Sequence, residues 1–381
     1  MRILFTGGGS GGHFYPIISI AEELNHLVKE KKLLELELFF MSPTPYNAGI
    51  LFENGITYKK NSAGKIRRAA GVLSSIKNFF DLFRTGWGIL ISIIQVYNLY
   101  PDVVFGKGGY ASFPTLFAAR LLRIPVVIHE SDSVPGRVNL WAGKFAQRVA
   151  VSYREAAKYF APEKVAYTGL PVRKEVTIPT ADGAREFLKI EEGIPVVLIL
   201  GGSQGAKKIN EAVLGGVKDL VKEFAVIHQV GPKHFPEVKA TADAVLFDSP
   251  NKDRYKPFDY LNLLALRMSA GVASVVVSRA GSSIFEIASW GTPSILIPIN
   301  EKVSRDQHSN AFAYARAGAC EVVEEGNLTS HILVSEVRRL VSEPAVREKM
   351  QAAAKAFFKP DAARLVAEEI LKIALTHEVE K

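Results

Sequence analysis

Three strand-to-helix turns, the first two of them glycine-rich, carry the residues with chemistry to offer. The first, Gly7-Gly-Gly-Ser-Gly-Gly12, follows the apolar run Arg2–Thr6 and delivers His13 to a helical pattern reaching about Lys29. The second, Gly201-Gly-Ser203-Gln204-Gly205 with Ala206, follows Pro195–Leu200 and opens a helix reaching about Val217. The third, Ser278-Arg-Ala-Gly281-Ser-Ser-Ile-Phe-Glu286, sets a carboxylate on the first helical turns. Glycine lets backbone approach a ligand closely, and unpaired N–H groups at a helix N-terminus attract phosphate.

Each turn also has a competing reading. Gly7, Gly9 and Gly12 meet the G-x-G-x-x-G spacing, yet the next strand-like run, Leu38–Ser42, ends without the acid that would hold a dinucleotide ribose, so NAD binding is disfavoured. The second turn lacks the Lys-Ser/Thr of a P-loop and is not a Walker A site. His13 either caps its helix or serves in a site, and the functional reading is preferred. Glu286 either favours the helix dipole or accepts hydrogen bonds from ribose hydroxyls. Arg305-Asp306-Gln307-His308 opens another helix after Pro298-Ile-Asn300, where ligands of open α/β sheets sit. No Asp-x-Asp pair exists to chelate a metal on a nucleotide-sugar diphosphate, so the leaving charge would be met by helix N-termini and a cation such as Arg173. His129, His228, His234 and His308 lack HExxH spacing, and neither metal nor cofactor is expected.

The elements that must position these residues repeat one grammar in both halves: apolar strand, glycine loop, helix. Unalternating apolar runs follow at Val103–Phe105, Val126–His129 and Arg148–Val151, then at Val226–Val230, Ala244–Phe247, Ser274–Ser278 and Ser294–Pro298. Strands of that kind belong to parallel sheets buried on both faces. A chain of 381 residues exceeds the size at which single cores divide. Two doubly wound α/β domains are expected, 1–168 with a returning C-terminal helix 361–376, and 169–360. The boundary is placed near Gly169-Leu-Pro171, and Thr177–Gly193 is a polar approach to the second domain.

Composition narrows the setting. With 48% hydrophobic and 23% charged residues the chain is too apolar for disorder. The lone Cys320 excludes an intramolecular disulfide framework and reads as buried filler. The N-terminus shows neither a basic region nor a cleavage site, so a cytoplasmic protein is expected. A net charge of +8 suggests anionic partners, but the basic residues are not clustered with stacking aromatics, and nucleic acid is not expected. Thr85–Tyr100 is the most apolar stretch and reads as too short to span a bilayer. Within residues 64–95, Leu73, Ile76, Phe80, Phe83, Trp87 and Leu90 share one helical face, with Lys65, Arg67, Arg68, Lys77 and Arg84 around them and Gly86 and Gly88 weakening the helix. That face is either core or a surface that dips into a membrane.

The ordered set Gly8-Gly-Ser-Gly-Gly-His13, Gly106-Lys-Gly-Gly-Tyr-Ala-Ser112, His129-Glu-Ser-Asp132, Gly169-Leu-Pro-Val-Arg173, Gly201–Ala206, Ser278-Arg-Ala-Gly281 and Asp306-Gln307 with Asn310-Ala311 resembles the MurG family over nearly the whole chain. Members are UDP-N-acetylglucosamine:N-acetylmuramyl-(pentapeptide)-pyrophosphoryl-undecaprenol N-acetylglucosaminyltransferases. The resemblance implies a GT-B fold, two Rossmann-like domains with a cleft between them, an acceptor and membrane-docking domain first and a UDP-GlcNAc domain second. It implies an inverting, metal-independent transfer to the muramyl 4-hydroxyl, lipid I becoming lipid II. By the same resemblance Ser10, Gly11, Gly12 and His13 line the acceptor side, Arg173 and Ser203 meet the diphosphate, Glu286 the ribose and Gln307 the GlcNAc hydroxyls. Tyr110, Asp132, Gln204, Gly205, Ser282 and Ser283 complete the substrate set, and Phe258 marks the uracil backbone within 257–263. His13 is the first choice for general base, with Glu130 and Asp132 as rivals. Two departures stand out: many members have Asn where this chain has Asp132, and the turn from Gly281 to Glu286 is one residue short. The implied partners are UDP-GlcNAc, lipid I and an anionic membrane surface on the cytoplasmic face, with cell-wall synthesis and division proteins left open. Rival readings are another GT-B enzyme, such as a diacylglycerol glycosyltransferase, and a UDP-sugar 2-epimerase.

Overall fold

In a computed structural model the chain forms two compact units, residues 1–173 with 359–381 and residues 174–358. The structure describes all residues except 9, 34, 66–71, 203, 302–304, 380 and 381; the side chains of 72–77, 305, 378 and 379 also lie outside the description.

The first unit is built on seven parallel strands, β1 (Arg2–Thr6), β2 (Glu37–Ser42), β3 (Ile56–Lys60), β4 (Val103–Gly106), β5 (Val126–Glu130), β6 (Arg148–Val151) and β7 (Val165–Tyr167), in the order β3-β2-β1-β4-β5-β6-β7. β4 and β5 are wholly buried, as expected for strands covered on both faces. The order reverses between β1 and β4, so the loops leaving their carboxyl ends splay apart and open a crevice there. Helix Gly11–Glu30 packs Phe14, Ile17, Ile18, Leu24 and Leu27 into the core. Helix Ala362–Val379 brings Val366, Ile370 and Leu371 into the same core, and Arg364 reaches Glu30 at 3.1 Å.

Helix Val72–Leu99 is continuous through both of its glycines. Gly88 permits close packing, since a β-carbon there would overlap Ser62 O. Asp81, Ser92 and Val96 are buried on one side, and Gln95 donates to Lys60 O at 3.0 Å. The opposite side is bare. Phe80, Phe83, Trp87 and Leu90, continued by Ile94 and Tyr97, are each 55–66% exposed. The stripe is therefore not core in the described part; Leu73, Ile76 and the Lys77 side chain lie outside the description, as do Arg67 and Arg68. The apolar run is also longer than Thr85–Tyr100: Asn78–Leu99 is long and apolar enough to cross a membrane by length and composition, yet its inner side is occupied by this unit.

The second unit repeats the pattern with β8 (Val196–Leu200), β9 (Ala225–Gln229), β10 (Tyr255–Phe258), β11 (Ala273–Ser278), β12 (Ser294–Leu296) and β13 (Cys320–Val322), all parallel, in the order β10-β9-β8-β11-β12-β13. Its switch point lies between β8 and β11. Ala244–Phe247 is not a strand: helix Phe235–Val245 takes its first two residues, with Leu246 as C-cap buried in the core. An apolar run of four residues has the same composition in the last turn of an amphipathic helix as in a buried strand.

Candidate functional site

In the first unit the switch point gathers four loops. Ser10 precedes helix Gly11–Glu30, and its carbonyl accepts the N–H groups of His13 and Phe14 at 3.2 Å. Its hydroxyl meets His13 Nδ1 at 2.8 Å. His13 is thus held by a side chain rather than serving as the cap. Burial, then the nearby Lys107 ammonium, push its pKa down to about 4, so the ring is neutral at pH 7. When Nδ1–H donates to Ser10, Nε2 keeps a free lone pair. Gly108 and Gly109 adopt φ of +86° and +75°, which a side chain would strain. A β-carbon on Gly108 would meet Asn139 Nδ2 at 2.7 Å, and one on Gly109 would stand 3.5 Å from His13 Nε2. The double glycine therefore brings backbone against the histidine. Gly11 and Gly12 form the first helical turn, and Tyr110 begins the short helix Tyr110–Ser112; all three are half-buried.

Glu130, at the end of β5, is the hub of the adjoining loop. One carboxylate oxygen accepts Asp132 N at 2.9 Å, and the other accepts Gly136 N at 3.0 Å and Asn139 Nδ2 at 2.9 Å. Burial and then the Asp132 charge raise its pKa, while the Asp132 N–H, the Asn139 amide and Lys107 pull it down. Asp132 itself is half-buried. His129 is fully buried, its Nε2 paired with Gly169 O at 3.0 Å, and desolvation keeps it neutral. Arg173 belongs to this unit by its contacts, with the guanidinium 4.3 Å from the Tyr15 ring centroid.

In the second unit the equivalent loops are tied by a residue the sequence did not advertise. Gln229, buried at the end of β9, donates to Gly202 O at 3.2 Å and accepts Leu261 N at 3.0 Å, so one amide sets both the glycine turn and the segment after Phe258. Phe258 closes β10, and its carbonyl accepts Val230 N at 2.9 Å. Gly205 has φ +78°, Gln204 is exposed, and Ser203 lies outside the described residues. Helix Lys207–Glu223 directs its free N–H groups at this turn. After β11, Ser282 is the N-cap of helix Ser283–Trp290, Ser283 Oγ lies 3.2 Å from Ser278 Oγ, and Glu286 sits half-buried on the first turn. Gln307, in helix Arg305–Arg316, accepts Ile299 N at 3.2 Å, and Asn310 donates to Ala280 O at 3.4 Å. All these groups lie at the carboxyl edge of the sheet.

Two doubly wound sheets, each with a glycine turn at its switch point and a helix N-terminus suited to phosphate, with a carboxylate beside one of them, are the architecture of a nucleotide-binding α/β enzyme. Models of the glycosyltransferase family 28 N-terminal and C-terminal domains match residues 3–151 and 196–366. A UDP-N-acetylglucosamine–N-acetylmuramyl-(pentapeptide) pyrophosphoryl-undecaprenol N-acetylglucosamine transferase 2 of Bacillus cereus is 36% identical over 341 residues, 89% of this chain and 91% of the relative. The transferase of that name from Thermodesulfovibrio yellowstonii is 34% identical and covers 98% of both chains. The crystal structure of Acinetobacter baumannii MurG shares the fold, with a TM-score of 0.72 at 23% identity over 97% of this chain and 99% of that one. The chain belongs to the MurG family of glycosyltransferases.

Proposed function

We propose that this chain transfers N-acetylglucosamine from UDP-GlcNAc to the muramyl 4-hydroxyl of undecaprenyl-pyrophosphoryl-MurNAc-pentapeptide, converting lipid I to lipid II. The observation that carries the reading is the full-length match to transferases named for those substrates. The acceptor oxygen forms a bond to the anomeric carbon as the bond to UDP breaks on the opposite face. His13 Nε2 takes the hydroxyl proton, and the electron pair leaves with the UDP phosphate. That phosphate is stabilised by the N-terminus of helix Lys207–Glu223 and its glycine turn, with Arg173 as the candidate cation. Glu130, with both oxygens engaged, serves as the clamp of the acceptor loop, and Asp132 offers a half-buried carboxylate to the sugar.

Incubation with radiolabelled UDP-GlcNAc and a lipid I analogue tests the reading: label must move into the lipid, with one UDP per transfer. Conversion of UDP-GlcNAc to its 2-epimer without acceptor, with no net release of UDP, would identify an epimerase. Label moving to diacylglycerol instead would identify the other rival.

Glu286 is assigned to the ribose hydroxyls. Glu286→Ala should weaken UDP binding by roughly 1–3 kcal/mol, the cost of leaving buried partners unpaired. Unchanged binding in calorimetry would remove that role. We further assign the bare face of helix Val72–Leu99 to peripheral docking on the cytoplasmic side of the membrane, where the undecaprenyl tail of the acceptor is held.

A further inference from the structure

Lys107 follows β4 directly at the switch point of the first unit, and its side chain is only 1% exposed. An ammonium is almost never buried to that degree unless it is paired. Its Nζ donates to Ser131 Oγ, and its backbone N–H donates to Thr6 O at 2.8 Å. A β-carbon on Gly7 would stand 3.0 Å from Lys107 Cβ. The side chain is thus lodged between the glycine loop that leads to His13 and the loop 129–133. Glu130 and Asp132 face it and favour its charge, against a larger desolvation that lowers its pKa. The His129 ring faces it from the same strand as Glu130 and the His13 ring from helix Gly11–Glu30, and their protonation is opposed by it. So buried a cation is not available to capture an anion from solution. Its influence passes through its neighbours.

We propose that Lys107 is a positioning residue for the transfer, the internal counter-charge that holds the Glu130–Asp132 loop ionised and hydrogen-bonded beside the His13 helix. The proposal rests on reading this unit as the acceptor side. Its physical basis is the donor count at Glu130, which accepts three N–H groups through two oxygens. An ionised carboxylate does this readily, whereas a protonated one carries an O–H that competes for the same space. Burial and Asp132 push Glu130 toward the protonated form, and Lys107 opposes them. Without the cation Glu130 takes up its proton at higher pH, and the loop loses a partner.

Two readouts on the full chain separate this proposal from the activity reading. Isotope-labelled glutamate carboxyl NMR, assigned with Glu130→Gln, follows the titration of Glu130; kcat across the same pH range, with UDP-GlcNAc and a lipid I analogue, follows the reaction. In Lys107→Met the Glu130 midpoint should rise by about one pH unit. The acid limb of kcat should move with it, UDP affinity should hold, and Lys107→Arg should restore both. An unmoved midpoint, or a kcat loss equal at every pH, overturns the proposal. A midpoint that moves while the limb does not upholds the counter-charge and refutes the acceptor-side reading instead. Should Lys107→Met fail to fold, Lys107→Gln takes its place. Unfolding by Met, Gln and Arg alike would make the residue structural and end the proposal, whereas rescue by Arg alone supports it.

Discussion

His13→Ala is expected to lower kcat by ~10²–10⁴-fold, the range for removing a general base, while UDP affinity stays close to wild type. The expectation follows from the geometry of one imidazole. Ser10 Oγ fixes Nδ1 at 2.8 Å, and the Gly108–Gly109 backbone approaches Nε2, so the ring has one oriented lone pair. With its pKa pushed down to about 4, the histidine is unprotonated throughout the neutral range, and its own titration does not limit the rate there. A base so weak is poorly matched to pH 7 until something raises it. An anionic substrate group bound beside the ring would do so, because an anion nearby favours the protonated form. The His13 ring resonances should therefore titrate at higher pH in the acceptor complex than in the free enzyme. Retention of more than about a tenth of the activity in His13→Ala would return the base to Asp132 or Glu130. Ser10→Ala should cost less than His13→Ala, since it frees the tautomer without removing the base.

The central strands were legible because burial on both faces leaves unbroken Val, Ile, Leu and Phe runs, as in Val103–Phe105 and Val196–Leu200. The edges were not. Ile56–Lys60 alternates polar and apolar residues, Tyr255–Phe258 contains Pro257, and Val165–Tyr167 and Cys320–Val322 have three residues each. A proline is tolerated at the sheet edge because its missing N–H faces no partner strand. The same limit applies to the sites. Glycine turns betray themselves by composition, so the stations of His13, Gly205 and Glu286 could be read directly. Lys107 and Gln229 act through hydrogen bonds to loops 24 to 32 residues away and Asn139 through one 9 residues away, and no local pattern announces such pairs. The one available signal for Lys107 was a cation inside an otherwise glycine-only turn.

Replacing Arg67, Arg68, Lys77 and Arg84 by Glu should abolish sedimentation with anionic liposomes and turnover of full-length lipid I, while a short-chain soluble acceptor is still used. Four cations at a negative leaflet contribute on the order of 1 kcal/mol each, so their loss alone lowers partitioning by about a thousandfold, and reversal adds repulsion. The apolar half of the surface rests on direct observation: Phe80, Phe83, Trp87 and Leu90 recur at spacings of three and four, and Ile94 and Tyr97 extend the line. Aromatic rings on such a face sit at the acyl boundary while flanking cations meet headgroups. The inner side of the helix is spent on the fold through Asp81, Ser92 and Val96, so the helix can lie on a bilayer but not cross it without leaving its unit. Phe80, Phe83 and Trp87 replaced together by Ser should reproduce the same selective loss with little change in melting temperature, because the three rings are largely exposed and, among the described residues, Phe80 and Phe83 have ring contacts with Phe79 alone. Equal loss on lipid and soluble acceptors, or a fall in melting temperature matching the activity loss, would make the stripe structural and move the docking face elsewhere.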